Sequence, residues 1–164
     1  MSVSDTGPSP PTEHQAGRTV ARLPMASERV WTIDVLLVDD DEADTCLIVG
    51  ALRADARVRA VHASSRPGET LFELAEGKLR PHLILLDINM PRLNGFKFLE
   101  ALRRIPRMQA TPVVFLTTSR LARDVTQALA GSVSSYVVKP DSYEELAAKL
   151  DGVVEAAIAN SWSR

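Results

Sequence analysis

The stretch Leu83-Ile84-Leu85-Leu86-Asp87-Ile88-Asn89-Met90-Pro91-Arg92-Leu93-Asn94-Gly95 limits the folds open to this chain more than any other. Four aliphatic residues run straight into a carboxylate, and turn residues follow. An unbroken apolar run of this length reads as a strand buried on both faces, as a parallel sheet requires. Pro81 and Pro91 bracket it, so neither end extends as helix. Asp87 then stands at the carboxyl end of a central strand, where open α/β sheets place their ligand sites. Alone, such an Asp is as readily a turn former or helix cap as a functional group.

The rest of the chain supplies its company. Ile33–Val38 is a second buried strand, closing in Asp39-Asp40-Asp41-Glu42. A helix is predicted from Glu42 to about Ala54, with Ala43, Leu47, Ala51 and Ala54 on its apolar face and Asp41 as its cap. Arg57–Ala63 alternates and reads as a strand near one sheet edge, with Val58, Ala60 and His62 opposite Arg57, Arg59, Val61 and Ala63. Ser65–Lys78 is helical, with Leu71, Leu74 and Ala75 inward and Gly77 near its end. After Asn94-Gly95 a helix over about Phe96–Arg104 buries Phe98, Leu99 and Leu102, and Pro106 ends it. Pro112–Leu116 is a fourth strand, closing in Thr117-Thr118-Ser119; a weakly apolar helix follows over about 121–130. Tyr136–Val138 is a fifth strand, closing in Lys139-Pro140. The last helix, Tyr143 to about Ala159, carries Leu146, Leu150, Val153, Ala157 and Ile158 at helical spacing. Ser142 is its cap, and Glu145 could complete a capping box.

Strands alternating with helices predict an α/β fold, a parallel sheet covered on both faces with right-handed crossovers. Residues 1–30, rich in Pro, Ser and Thr, read as a disordered leader. Residues 31–160 form the domain, and 161–164 are a tail. Nineteen basic residues against twenty-one acidic ones give no excess that suits nucleic acid or a membrane surface. The longest apolar runs are far too short to span a bilayer. The single cysteine, Cys46, rules out an intrachain disulfide and reads as a buried inert thiol. With no secretory signal pattern at the start, the expected compartment is the cytoplasm.

If the strands neighbour one another, Asp39, Asp40 and Asp41, then Asp87, then Thr117-Thr118-Ser119, and then Lys139 converge on one crevice. Crowded carboxylates call for a cation, and few hard oxygen ligands suit Mg2+. A lysine and a hydroxyl suit a phosphoryl group. An aspartate nucleophile forming an acyl phosphate is established chemistry. A Walker-type phosphate loop is absent. His14, His62 and His82 have no partners at ligand spacing.

Val38-Asp39-Asp40-Asp41, Leu86-Asp87-Ile88-Asn89-Met90-Pro91 with Asn94-Gly95, Phe115-Leu116-Thr117-Thr118-Ser119 and Tyr136-Val137-Val138-Lys139-Pro140 occur in that order. Over about Ile33–Ile158 the chain resembles a two-component response-regulator receiver domain of the chemotaxis-regulator type. The resemblance implies a flavodoxin-like fold with strand order 2-1-3-4-5. It implies Asp87 as phosphoacceptor, with Asp39 and Asp40 as the acidic pocket. Mg2+ would be held by Asp40, Asp87 and the Asn89 backbone carbonyl, with Asp39 acting indirectly. Lys139, before a cis Lys-Pro bond, would pair with the phosphoryl oxygens. Thr117 would be the switch hydroxyl and Tyr136 the aromatic that swings with it. Asn89 and Ser119 would tune water attack. Gly131 and Ser132 depart from the family's spacing before the fifth strand. Glu42 and Asp44 add charge that either strengthens magnesium binding or caps the helix.

The last two motifs are similar to the stand-alone class serving phytochrome-type sensor kinases. Only a few residues follow the last helix, so no output domain is expected, and the signal would leave by phosphotransfer or protein contact. The expected partners are a sensor histidine kinase or histidine phosphotransfer protein and a downstream protein. Leu146, Leu150 and Val154 could offer a homodimer surface, with Trp162 able to cover it. The alternative is a phosphorylation-independent interaction module on the same fold. A phosphohydrolase of the aspartyl-nucleophile type is expected to carry a second Asp where Asn89 stands. The protein is therefore not expected to be an enzyme beyond its own phosphorylation and dephosphorylation.

Overall fold

The computed structural model describes residues 31–118 and 133–161. Five parallel strands lie in the order β2-β1-β3-β4-β5. They are β1 (Ile33–Val38), β2 (Val58–Ser64), β3 (Leu83–Asp87), β4 (Val113–Thr117) and β5 (Ser135–Val138). The described helices are α1 (Glu42–Arg53), α2 (Pro67–Glu76), α3 (Gly95–Arg103) and α4 (Tyr143–Ser161). A 3-10 turn, Pro106–Met108, follows α3. The predicted leader, the helix over 121–130, Ser119, Gly131, Ser132 and Trp162 lie outside the described residues.

Alternate side chains of each central strand feed two cores. Val35, Leu37, Leu83, Leu85, Val114 and Leu116 pack against α1 and α4. Leu36, Val38, Ile84, Leu86, Val113 and Phe115 pack against α2 and α3. All five residues of β3 are buried, which accounts for its lack of apolar alternation. Lys149 of α4 donates to the Val138 carbonyl at 3.1 Å and ties the helix to the end of β5.

Three predicted faces differ. In α1 the buried residues are Ile48 and Leu52, while Ala43, Leu47 and Cys46 face solvent. Cys46 is therefore not a buried thiol. Alanine and cysteine are too small to fix a helix's phase when larger Ile and Leu offer more apolar area on another face. In β2, Val58 and Val61 pack on the same core, not on opposite faces. The register slips by one residue beside Ile33 and Asp34, and such a slip turns the following side chains over. In α2, Ala75 is exposed; buried Thr70 takes its place and bonds Ser64 Oγ at 2.7 Å.

Two caps, Asp41 and Ser142, follow the sequence reading, and Asn94, read only as a turn residue, is a third. Asp41 accepts the Asp44 N–H at 2.9 Å, Asn94 the Lys97 N–H at 3.0 Å, and Ser142 Oγ the Glu145 N–H at 3.2 Å. The Glu145 carboxylate turns to Lys149 at 2.7 Å rather than back to Ser142. Gly77 ends α2 in the left-handed region, at φ 71°. Leu146, Leu150 and Val154 lie in the core, so they supply no dimer surface.

Candidate functional site

Register sets the site. Val38 pairs with Leu86, Asp87 with Leu116 and Thr117 with Val138. Asp39, Asp87, Thr117 and Lys139 therefore leave their strands along one edge of the sheet, at the crevice where strand order reverses around β1 and β3. Backbone bonds hold that edge: Asp39 N–H to Ser64 O at 3.1 Å, Ile88 N–H to Leu116 O at 3.2 Å, and Lys139 N–H to Thr117 O at 2.8 Å.

The loop after β3 is fixed from both sides. Gly95 N–H donates to Ile88 O at 3.0 Å, and Leu93 N–H donates to Pro91 O at 2.8 Å across Arg92. That tight turn puts Arg92 at φ 69°, a conformation that costs a non-glycine residue about 1–3 kcal/mol.

Asp39 and Asp87 are buried, whereas Asp40 is exposed. One carboxylate oxygen from each of the three lies within 4.8 Å of the others. Asp87 uses Oδ2 to accept the Asn89 N–H at 2.9 Å, while Oδ1 faces Lys139 Nζ at 3.2 Å. Asp39 accepts the Asp41 N–H at 2.9 Å and Lys139 Nζ at 2.8 Å. A further carboxylate, Asp44 of α1, stands 2.8 Å from the same ammonium. The sequence offered Asp44 as charge that strengthens magnesium binding or as a helix cap; its pairing with Lys139 was not foreseen. The available signal was its position three residues after the helix cap, in the turn of α1 beside the acidic loop.

Burial pushes the Asp39 carboxyl above the usual carboxylate range, and the Asp87 charge adds to this. Hydrogen bonds from Lys139 and Asp41 offset part of the rise. Burial works against the Lys139 ammonium, but the bonds to Asp39 and Asp44 and the charges of Asp39 and Asp87 outweigh it. Its pKa lies above the ordinary lysine value. Lys139 is therefore a fixed cation at the centre of an acidic pocket.

The pocket has the chemistry for a hard divalent cation. Three carboxylates from two loops offer oxygen ligands, and exposed Asp40 leaves the pocket open to water. Adjacent and opposite oxygens around Mg2+ stand about 2.9 and 4.1 Å apart, near the 4.8 Å within which these three oxygens lie. Thr117 is fully buried at the end of β4, and Tyr136 is half-buried in β5 against the second core. The Lys139–Pro140 peptide is trans, not cis as the resemblance implied. Trans is the intrinsically favoured isomer even before proline.

Known proteins resemble this chain in sequence and in fold. The probable methanogenesis regulatory protein FilR2 of Methanothrix harundinacea is 33% identical, over 79% of this chain and 85% of that protein. Several other curated relatives are longer, and the chain spans 13% to 50% of their length, whereas it covers 84% of response regulator Rcp1 of Synechocystis at 30% identity. Among solved structures, the phosphorylated cyanobacterial phytochrome response regulator RcpA superposes with a TM-score of 0.67 at 27% identity. That match covers 77% of this chain and 94% of RcpA. The Mn2+-bound form of response regulator Rcp1 gives 0.64 at 28% identity, covering 74% of this chain and 91% of that one. The response regulator receiver domain pattern matches residues 35–151. The chain belongs to the response regulator receiver domain family.

Proposed function

We propose that this protein is a single-domain response regulator that takes a phosphoryl group from a histidine kinase or histidine phosphotransfer protein onto Asp87. The observation that carries the reading is the Lys139 ammonium, 3.2 Å from Asp87 and 2.8 Å from Asp39, at the centre of an acidic pocket. An Asp87 carboxylate oxygen attacks the phosphorus, the P–N bond of the donor phosphohistidine breaks, and the imidazole leaves with a proton. The Asn89 N–H fixes the carboxylate's orientation. Lys139 meets the negative charge on the incoming phosphoryl oxygens. Asp40, Asp87 and the Asn89 carbonyl are the residues that would hold Mg2+, with Asp39 supporting them. The ion, when bound, would offset repulsion between carboxylate and phosphoryl group.

Thr117, at the end of the neighbouring strand, is the hydroxyl that turns toward the phosphoryl group, and Tyr136 moves inward with it. The signal is a shift in population between two arrangements of these loops, read by a downstream protein or passed on as a phosphoryl group. Because the donor kinase draws on ATP, the exchange belongs in the cytoplasm. Radiolabelled acetyl phosphate tests the proposal. Label should enter the wild type with magnesium, and disappear with a chelator or in Asp87→Asn. Label that ignores both changes would overturn the assignment of Asp87. An absence of label would return the chain to a phosphorylation-independent interaction module.

A further inference from the structure

We propose that Asp44 is a positioning residue for Lys139, holding the ammonium at rest and yielding it when a phosphoryl group sits on Asp87. The proposal rests on the phosphoacceptor reading above. Three carboxylates meet Lys139 Nζ: Asp39 and Asp44 at 2.8 Å, and Asp87 at 3.2 Å. An ammonium has three N–H donors; Asp39 and Asp44 each accept one, and the Asp87 carboxylate faces the third as an ion pair. A phosphoryl group on Asp87 brings more charge and more acceptor oxygens than the carboxylate it joins. One of the existing acceptors must give way if Lys139 is to answer that demand with more than one N–H.

The three acceptors differ in what release costs them. The Asp39 side chain is 0% exposed and that of Asp87 8%, so either would be left as a buried carboxylate without its cation. The Asp44 side chain is 35% exposed, and water can replace the ammonium there. Release would not loosen α1, because Asp44 is anchored through its backbone, its N–H donating to Asp41 at 2.9 Å. Asp44 thus competes with the phosphoryl group for Lys139 and lowers the affinity of the site for it.

The test uses the full chain at saturating magnesium, with beryllofluoride as the phosphoryl mimic and amide chemical shifts as the binding readout. Asp44→Asn removes the charge and keeps the shape. It should bind beryllofluoride about fivefold tighter than wild type, the upper range for a partly exposed ion pair. Asp44→Glu should keep wild-type affinity. In a Lys139→Ala background the Asp44→Asn gain should vanish, because the effect runs through the ammonium. Equal or weaker binding by Asp44→Asn would overturn the proposal, as would the same gain with and without Lys139. Wild-type binding with no effect of Asp44 sinks this inference alone. If the wild type fails to bind beryllofluoride, the phosphoacceptor reading falls and takes this inference with it.

Discussion

At Gly95 a Cβ atom would stand 2.5 Å from the Asp87 carbonyl oxygen and 3.0 Å from the Ile88 Cα. Neither neighbour is a flexible side-chain end, so the loop carrying the phosphoacceptor must move. Gly95→Ala should therefore cost about 1–3 kcal/mol in urea unfolding and slow labelling of Asp87. Unchanged stability would mean the loop is looser than its hydrogen bonds indicate. The Asn94-Gly95 pair was readable in the sequence as a turn, and so was Asp87 at a strand end. The partners of Lys139 were readable only in part. Asp39 and Asp87 follow from strand order, because parallel strands deliver their ends to one edge. Asp44 depends on the rotational phase of α1, and that phase is where the pattern misled.

The helix faces show why. Leu47 repeats with small residues at helical spacing, yet it is 48% exposed, while Ile48 is 1% exposed. Periodicity counts apolar positions equally, whereas the core rewards buried area. Ile48→Ala should cost about 2–5 kcal/mol, and Leu47→Ala should stay within about 0.5 kcal/mol. Parallel urea titrations of the two variants check the phase of α1, and equal losses would contradict it. The β2 edge carries a pH dependence. Arg59 holds the Asp34 carboxyl below the usual range through a hydrogen bond, and Arg57 does the same for Asp55. Because both folded values are depressed, this stabilisation is present above the ordinary value of 3.8 and is lost as pH falls through the lower folded values. Amide protection factors in β2, corrected for the intrinsic rate at each pH, should fall below about pH 4 before those in β3 do. Simultaneous loss of protection would mean the edge pairs contribute nothing local. The register slip in β2 left no mark in the sequence, since a bulge needs only one extra residue and Arg59 reads as part of the alternation.

Across the whole molecule, two cores clamp a sheet at whose carboxyl edge three carboxylates meet one ammonium, with a fourth, Asp40, beside them. Strand number and direction were legible because buried strands, turn residues and helical spacing all agree; the order 2-1-3-4-5 came from the resemblance to receiver domains. The trans Lys139–Pro140 bond was not, since little free energy separates the isomers. The concentration of like charge means that magnesium should stabilise the fold as well as serve the chemistry. At a hundredfold excess over its dissociation constant, a ligand of the native state adds about 2.7 kcal/mol. Thermal unfolding with and without magnesium should show that gain in the wild type and little of it in Asp40→Asn. Equal gains would remove Asp40 from the ligand set. The central claim is chemical, and one measurement reaches it directly. Borohydride reduces an aspartyl phosphate to homoserine. Peptide mass spectrometry after acetyl phosphate, magnesium and borohydride should find homoserine at position 87 and nowhere else. Homoserine at another aspartate, or at none, would contradict the account.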